Sequence, residues 1–372
     1  MTAMAGAWNM LANCAGARRG DRVLLAYEPA EYGYFDASVL NTVGRMAHEM
    51  GLIVKTVNVG FDPHVTRLSD ALRAQMDKVD IVVFLARLGD QLRFCDMPKE
   101  KRIVVCFALD DNLLGSGFGT TSYGAFVALK DCVTDALSSA ATVRVTCPNG
   151  TDVVGTPEMP HADAGDTTVS RFPMSVFKPV PAQSFSGRVA LCGFLTGTGS
   201  QYYDDYTLEF DGAVMAYLEQ GRLVGFDGCP RDVAAANAHY DRISGILGID
   251  RNFVHSWHAG IHPGCGYLQE ARANYERWGG AAFGNPRILH FHTCGAYAPG
   301  EISWNVLDPT IWMDGVPVWE NGVFHPSRLA GGQAILDRYP DAAAVFAHPD
   351  AHVGLAAWRV MSDGPALLEA AS

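Results

Sequence analysis

Four short apolar runs punctuate the first third of the chain: "DRVLLAYEP" (21–29), "LIVKTVNVG" (52–60), "DIVVFLAR" (80–87) and "RIVVCFAL" (102–109). None exceeds about eight residues, the length of a buried strand. Between them, "FDASVLNTVGRMAHEMG" (35–51) and "VTRLSDALRAQMDK" (65–78) carry apolar residues at helical spacing. Asp36 stands where an N-cap belongs and Gly51 just past the expected end. A further helix is predicted over 122–139. Strands that alternate with helices pair in parallel and bury both faces, so this part predicts an α/β doubly wound sheet.

The pattern then changes. "ATVRVTCPNGTDVVG" carries Asn149-Gly150, a two-residue hairpin signal. Residues 156–186 are rich in proline and polar residues, and a domain boundary is placed near 165. This divides the chain into a Rossmann-like α/β domain (1–165) and an α+β domain (166–372). In the second, "GRVALCGFL" (187–195), 206–228 and 309–324 read as strand pairs joined by glycine turns, with helices near 231–247 and 267–278. The expected sheet is mixed and largely antiparallel.

Composition narrows the function. Of 372 residues, 48% are hydrophobic and 18% charged, as in a globular domain rather than a disordered chain. A net charge of −12 argues against nucleic acid, which needs a cationic surface. No apolar run is long enough to span a bilayer, and the opening "MTAMAGAWNMLANCAGARRGDR" lacks the order of a secretion signal. A cytoplasmic protein without a membrane partner is expected. The nine cysteines form no CxxC pair, so Cys229, Cys265 and Cys294 read as inert thiols despite nearby histidines.

Histidines carry the chemistry. Twelve occur, and five lie between 255 and 292. In "ILHFHTCG", His290 and His292 share one face of a strand. In "NFVHSWHAGIHPGCGY", Gly260, Pro263, Gly264 and Gly266 disfavour a helix, so His255, His258 and His262 are read on an irregular loop. Neutral imidazole is a preferred ligand of first-row metals, and a catalytic site takes about three protein ligands and leaves room for substrate. The expected metal ligands are His258, His290, His292 and Glu301, with His255 and His262 as acid–base groups. The other reading of the paired histidines is a polar lining for an organic acid. "LTGTGSQYYDD" (195–205) reads as a flexible turn with solvated Tyr202 and Tyr203. "AHPDAH" (347–352) reads as a surface loop, and Asp308 and Glu320 as turn residues.

Three further stretches carry a resemblance: "YLEQGRLVGFDG" (217–228), "HAGIHPG" (258–264) and "TIWMDGVPVWENGVF" (310–324), with "GARRGDRVLLAYEP" (16–29) fitting more loosely. Together they resemble the aminopeptidase T (M29-type metallopeptidase) superfamily, which includes the 2,5-dihydroxypyridine 5,6-dioxygenases. The resemblance implies an α/β N-terminal domain, a metal-holding C-terminal domain and self-association as a homo-oligomer. Peptidase members carry two metal ions; dioxygenase members carry one non-haem iron on histidine and carboxylate. The family's His-x-Asp pair falls here on Glu301 and Ser303, and its loop ligand near Ser256, so the usual ligand positions are altered.

Three functions follow. One is a mononuclear Fe(II) dioxygenase opening a hydroxylated aromatic or N-heterocyclic ring, with Trp257, Trp304 or Trp312 stacking on a flat small-molecule substrate. Another is a metallohydrolase, an aminopeptidase or small-amide hydrolase using Zn, Mn or Co. The last is a binding subunit without metal.

Overall fold

The computed structural model describes residues 2–356 except 96, 99, 160–168 and 298. The strands in chain order are β1 (Arg22–Tyr27), β2 (Ile53–Asn58), β3 (Ile81–Leu85), β4 (Arg102–Cys106), β5 (Val143–Thr146), β6 (Asp152–Gly155), β7 (Ser170–Phe172), β8 (Val180–Pro181), β9 (Ser186–Leu191) and β10 (Phe194–Gly197). They continue as β11 (Leu208–Glu209), β12 (Val214–Glu219), β13 (Arg222–Gly228), β14 (Val254–Ala259), β15 (Ile288–Thr293), β16 (Ile302–Leu307), β17 (Thr310–Met313), β18 (Val316–Glu320) and β19 (Val323–Phe324). Strands β5 and β6 form the hairpin predicted at Asn149-Gly150.

The first sheet is parallel, in the order β2-β1-β3-β4-β7. Its apolar runs explain it. Val23, Leu25, Ile81, Val83 and Val104 enter one core, and Leu24, Ala26, Val82, Phe84 and Val105 enter another on the opposite face. The helix Ala37–Glu49 belongs to the first of these layers and Asp70–Met76 to the second. This is the doubly wound layering that the alternating pattern predicts.

Two antiparallel sheets complete the fold. One has the order β11-β10-β16-β15-β14-β8, the other β13-β12-β9-β6-β5-β17-β18-β19. Trp257, Phe291 and Trp304 from the six-stranded sheet share a core with Val145, Val189, Ala216, Ile311 and Trp319 from the eight-stranded one. Trp257 and Trp304 are therefore core residues, not the substrate platform expected of them, and Trp312 does not line the cavity described below.

Several expectations are corrected. The boundary near 165 falls outside the described residues, and strand pairing does not divide the chain there. Strands β5 and β6 precede it yet sit in the eight-stranded sheet, while β7 follows it and returns to the parallel sheet. The helix expected over 267–278 starts only at Tyr275, capped by the Asn274 side chain at 3.0 Å from the Arg277 N–H. Before that, the Tyr267 and Ala271 amides bond to the carbonyls of His352 and Gly354, and only a single 3-10 turn forms, over Ala271–Ala273. An unforeseen helix, Ala3–Trp8, continues in wider turns to Cys14, and Asn9 ties it to the Gly119 and Thr121 carbonyls. All nine thiols are free. Among the described residues no helix is long and apolar enough to cross a membrane.

Candidate metal centre

The six-stranded sheet has two different faces. Pairing sets His258 opposite His290 and His290 opposite Asn305; the next rung aligns Ser256, His292 and Ser303, with Thr196 beyond. Cross-strand partners share a face, so these polar side chains stand together, and Trp257, Phe291 and Trp304 point the other way into the core. Ser256, His258, His290, His292, Ser303 and Asn305 are all buried. A buried polar face of this size needs a chemical reason, because each unpaired group costs about 1–3 kcal/mol.

His258, His290 and His292 bring one ligand atom each within 4.8 Å of one another. His258 Nδ1–H donates to the Phe177 carbonyl at 3.0 Å, which leaves the Nε2 lone pair free to face the cluster. His258 Nε2 and His290 Nε2 lie 2.6 Å apart. His292 Nδ1 meets the Ser256 hydroxyl at 3.0 Å, and the same hydroxyl meets His255 Nδ1 at 2.9 Å. The His290 ring stacks on Phe283, with centroids 4.0 Å apart. Burial pushes His258 down to about 3. It also holds His290 and His292 well below the usual range, helped by repulsion from neighbouring histidines. All three imidazoles are thus neutral at pH 7, the form that binds a metal.

The donor set fits a cation. Nδ1 of His290, Oγ of Ser303 and Oδ1 of Asn305 are buried on this face without a protein hydrogen-bond partner. Three imidazole nitrogens, two with their other nitrogen anchored, are the arrangement that orients metal-ligating histidines. Replacing Ser256 with alanine is expected to weaken divalent-metal affinity about 10–100-fold while leaving the fold unchanged, measured by competition with a chromophoric chelator. Unaltered affinity would show that the hydroxyl orients nothing.

The structure separates the expected residues. Histidine 258 lies on strand β14, not on an irregular loop, because the strand ends at Ala259, just before the glycine and proline positions. His255 is half-buried on the cavity wall and reaches His292 only through Ser256. His262 does not line the cavity; its ring stacks on Phe126 at 3.6 Å with Phe118 at its edge. The acid–base role expected of His262 has no support from that packing position. Glu301 does not join the three-histidine cluster. Its carboxylate accepts hydrogen bonds from Tyr297 and, at 3.2 Å, from Ser200.

Burial raises the Glu301 carboxyl to about 7, against smaller opposing contributions from Tyr297 and Ser200. Below about pH 4.5 it is protonated in both folded and unfolded chains and affects nothing. As pH climbs from there towards 7, the unfolded chain ionises first, so stability falls, by about 3 kcal/mol for such a shift. Glu301→Gln is expected to remove this decline in unfolding free energy between pH 5 and 8. An identical decline in the variant would place its origin elsewhere.

Beside the histidines lies a cavity of about 360 Å³, large enough for a one-ring ligand. Its lining also includes segments beyond the carboxyl ends of β1, β3 and β4, with Tyr34, Arg93 and Phe107. The order β2-β1-β3-β4 reverses direction between β1 and β3, and open α/β sheets bind ligands at such switch points. Tyr202 and Tyr206 are also part of the wall and stack on each other at 5.2 Å. Tyr202 is therefore not the solvated turn residue expected. Gly197 permits this: a Cβ there would lie 2.0 Å from the Tyr206 ring. The Gly199 N–H is already taken by the Tyr206 hydroxyl at 2.7 Å, so this turn is no phosphate cradle. In the 347–352 loop, His352 pairs with Asp350 at the surface.

Arg93, Arg171 and Lys178 also line the cavity, and sequence reading singled out none of them. No local motif surrounds them; only the fold brings them to the histidines.

No protein-family model matches the chain, and no curated protein matches it. Wild-type AmpT from Thermus thermophilus is similar over 83% of this chain and 94% of its own, at 10% identity and a TM-score of 0.44. The 2,5-dihydroxypyridine dioxygenase from Pseudomonas putida KT2440 is similar over 87% of this chain and 96% of its own, at 12% identity and a TM-score of 0.57. At that level of similarity the chain shares the overall fold of the dioxygenase.

Proposed function

We propose that the protein is a mononuclear non-haem iron dioxygenase that opens a hydroxylated aromatic or N-heterocyclic ring. The observation that carries this reading is the cluster of three neutral imidazoles in the wall of a one-ring cavity. The fold shared with a 2,5-dihydroxypyridine dioxygenase supports it. A ferrous ion held by His258, His290 and His292 would supply a redox-active Lewis acid with positions open to an organic ligand and to O₂.

The chain's own residues do the rest. The Phe177 carbonyl and the Ser256 hydroxyl hold His258 and His292 in the orientation a ligand needs. Phe94, Phe107, Phe283 and Tyr202 give a flat ring apolar walls. His255, tied to His292 through Ser256, is the group placed to hold or return a proton at the cavity wall. A two-metal hydrolase needs bridging carboxylates, and the candidates are engaged elsewhere: Asp308 pairs with Arg287 at 2.6 Å, and Glu301 with Tyr297 and Ser200.

Elemental analysis of protein purified without a chelating tag is expected to find about one iron per chain. With ferrous iron added, an oxygen electrode is expected to record O₂ uptake on dihydroxypyridines or aminophenols. Two zinc, manganese or cobalt ions per chain, with amide hydrolysis and no O₂ uptake, would replace this reading with the hydrolase.

A further inference from the structure

One nitrogen of the triad is left over. His258 Nδ1 carries a proton, because the Phe177 carbonyl 3.0 Å away can only accept. Its Nε2 is therefore a bare lone pair. His290 Nε2 lies 2.6 Å from it, a separation at which two lone pairs repel. With both rings neutral, the proton of His290 sits on Nε2 and bridges the two rings. His290 Nδ1 is then unprotonated, buried and without a protein partner. A metal that takes both Nε2 atoms reverses this: the proton of His290 moves to Nδ1, which then needs an acceptor. Facing it across the β15–β16 pair is Asn305, 0% exposed, whose Oδ1 is also unpartnered. Facing residues stand about 4.5–5.5 Å apart at Cβ, within reach of a side-chain hydrogen bond. Ser303, whose oxygen is also unpartnered on this face, stands one rung away opposite His292, and His292 Nδ1 already meets Ser256.

We propose that Asn305 is the positioning residue of His290, and that its amide sets which nitrogen of that ring is offered to a cation. The proposal rests on the metal reading and adds a second state to it, the metal-free one. An amide carries an acceptor and a donor on one rotatable end. Oδ1 answers an Nδ1–H when Nε2 is on the metal, and Nδ2 answers a bare Nδ1 when it is not. A half-turn of one side chain serves both states. A carboxylate can only accept, and an apolar side chain does neither. The surroundings suit such a turn. The main chain of Asn305 is fixed, its carbonyl accepting from the Cys192 N–H at 2.9 Å, whereas Nδ2 reaches the Thr196 hydroxyl only at 3.5 Å, a long and weak bond. That hydroxyl both donates and accepts, so it follows either orientation.

Zinc binding by the full chain tests this. Affinity is measured by competition with a chromophoric chelator, and the His290 ring is followed by NMR of protein carrying isotope-labelled histidine, its signals identified by their loss in His290→Ala. Wild-type uptake is measured first. Asn305→Leu is expected to fold and to bind zinc about 10–100-fold more weakly. Asn305→Asp restores the acceptor and is expected to bind zinc at least as tightly as the wild type. A merely packing role predicts the opposite order, since leucine keeps the volume and aspartate buries a charge. In wild-type protein the His290 proton is expected on Nε2 without zinc and on Nδ1 with it. In zinc-loaded protein that Nδ1 proton is expected to resist exchange with water in the wild type and in Asn305→Asp, and to lose this protection in Asn305→Leu. Wild-type zinc affinity in folded Asn305→Leu would overturn the proposal and leave the metal centre standing. So would a His290 proton that stays on Nδ1 after zinc is removed. Absence of zinc uptake by the wild type would remove the metal centre and this proposal together. If Asn305→Asp loses its fold by circular dichroism, Asn305→Leu and the wild-type proton positions still decide.

Discussion

Replacing His290 with alanine is expected to lower divalent-metal affinity by at least about a hundredfold, more than the 10–100-fold typical of an outer residue. The reason is position: His290 Nε2 lies 2.6 Å from His258 Nε2, at the middle of the cluster. The fold should survive. His290 has an unpartnered Nδ1 and sits on a sheet whose stability comes from the opposite, aromatic face. Truncation removes the stacking on Phe283 and leaves a small void, at a cost of about 1–3 kcal/mol. Equilibrium dialysis with elemental analysis measures the first effect, and circular dichroism with thermal melting the second. His292→Ala should behave alike. A His290→Ala protein that keeps wild-type metal affinity would dissolve the proposed centre.

The largest loss of stability is expected from Arg87→Ala. The Arg87 side chain is 4% exposed and its partner Glu28 is 0% exposed. The guanidinium meets Glu28 at 3.1 Å and Glu276 at 2.7 Å, and it lies 3.4 Å from the Phe61 ring centroid. Glu28 follows β1 and Glu276 lies on the helix Tyr275–Ala282, so one cation joins the parallel sheet to the cavity wall. Without it, Glu28 keeps the Arg87 backbone N–H at 2.8 Å but loses its counter-charge in a buried site. Breaking a buried pair from one side costs about 3–5 kcal/mol. Denaturant unfolding should show this as a lower midpoint. The double variant Arg87→Met with Glu28→Gln should lose less than the sum of the two single changes, since neither charge is then stranded. A loss below about 1 kcal/mol for Arg87→Ala would show that Glu28 is not held as the structure implies.

The same arginine illustrates where sequence reading stops. In "DIVVFLAR" it looks like the polar end of a strand, whereas β3 ends at Leu85 and Arg87 opens the short helix Arg87–Gln91. Nothing local marks it as buried, because its partners lie 59 and 189 positions away. His258 is different, for its signal was present. In "VHSWHA" the polar residues Ser256 and His258 alternate with the core residue Trp257, the period-two pattern of a strand. The glycine and proline positions that follow suggest a loop, but they begin only after the strand has ended at Ala259. Glu301 followed the opposite course. Its chain position beside the histidine strand made it a natural ligand, but the turn before β16 directs its carboxylate to Tyr297 and Ser200.

By itself the sequence determined the layers and the pairing of His290 with His292. Hydrophobic periodicity is a local property, and it records which face of an element avoids water. It determined the parallel sheet, the hairpin at Asn149-Gly150 and the change to antiparallel strands in the same way. Only the tertiary structure decided that β14 lies beside β15, which brings in His258, and that Arg93, Arg171 and Lys178 stand in the same cavity. Those meetings depend on strand order and chain crossings between sheets, which spacing along the chain does not encode. A metal ligand or a buried counter-charge is defined by distances of a few ångströms between segments far apart in sequence, and the packing of the three sheets sets those distances.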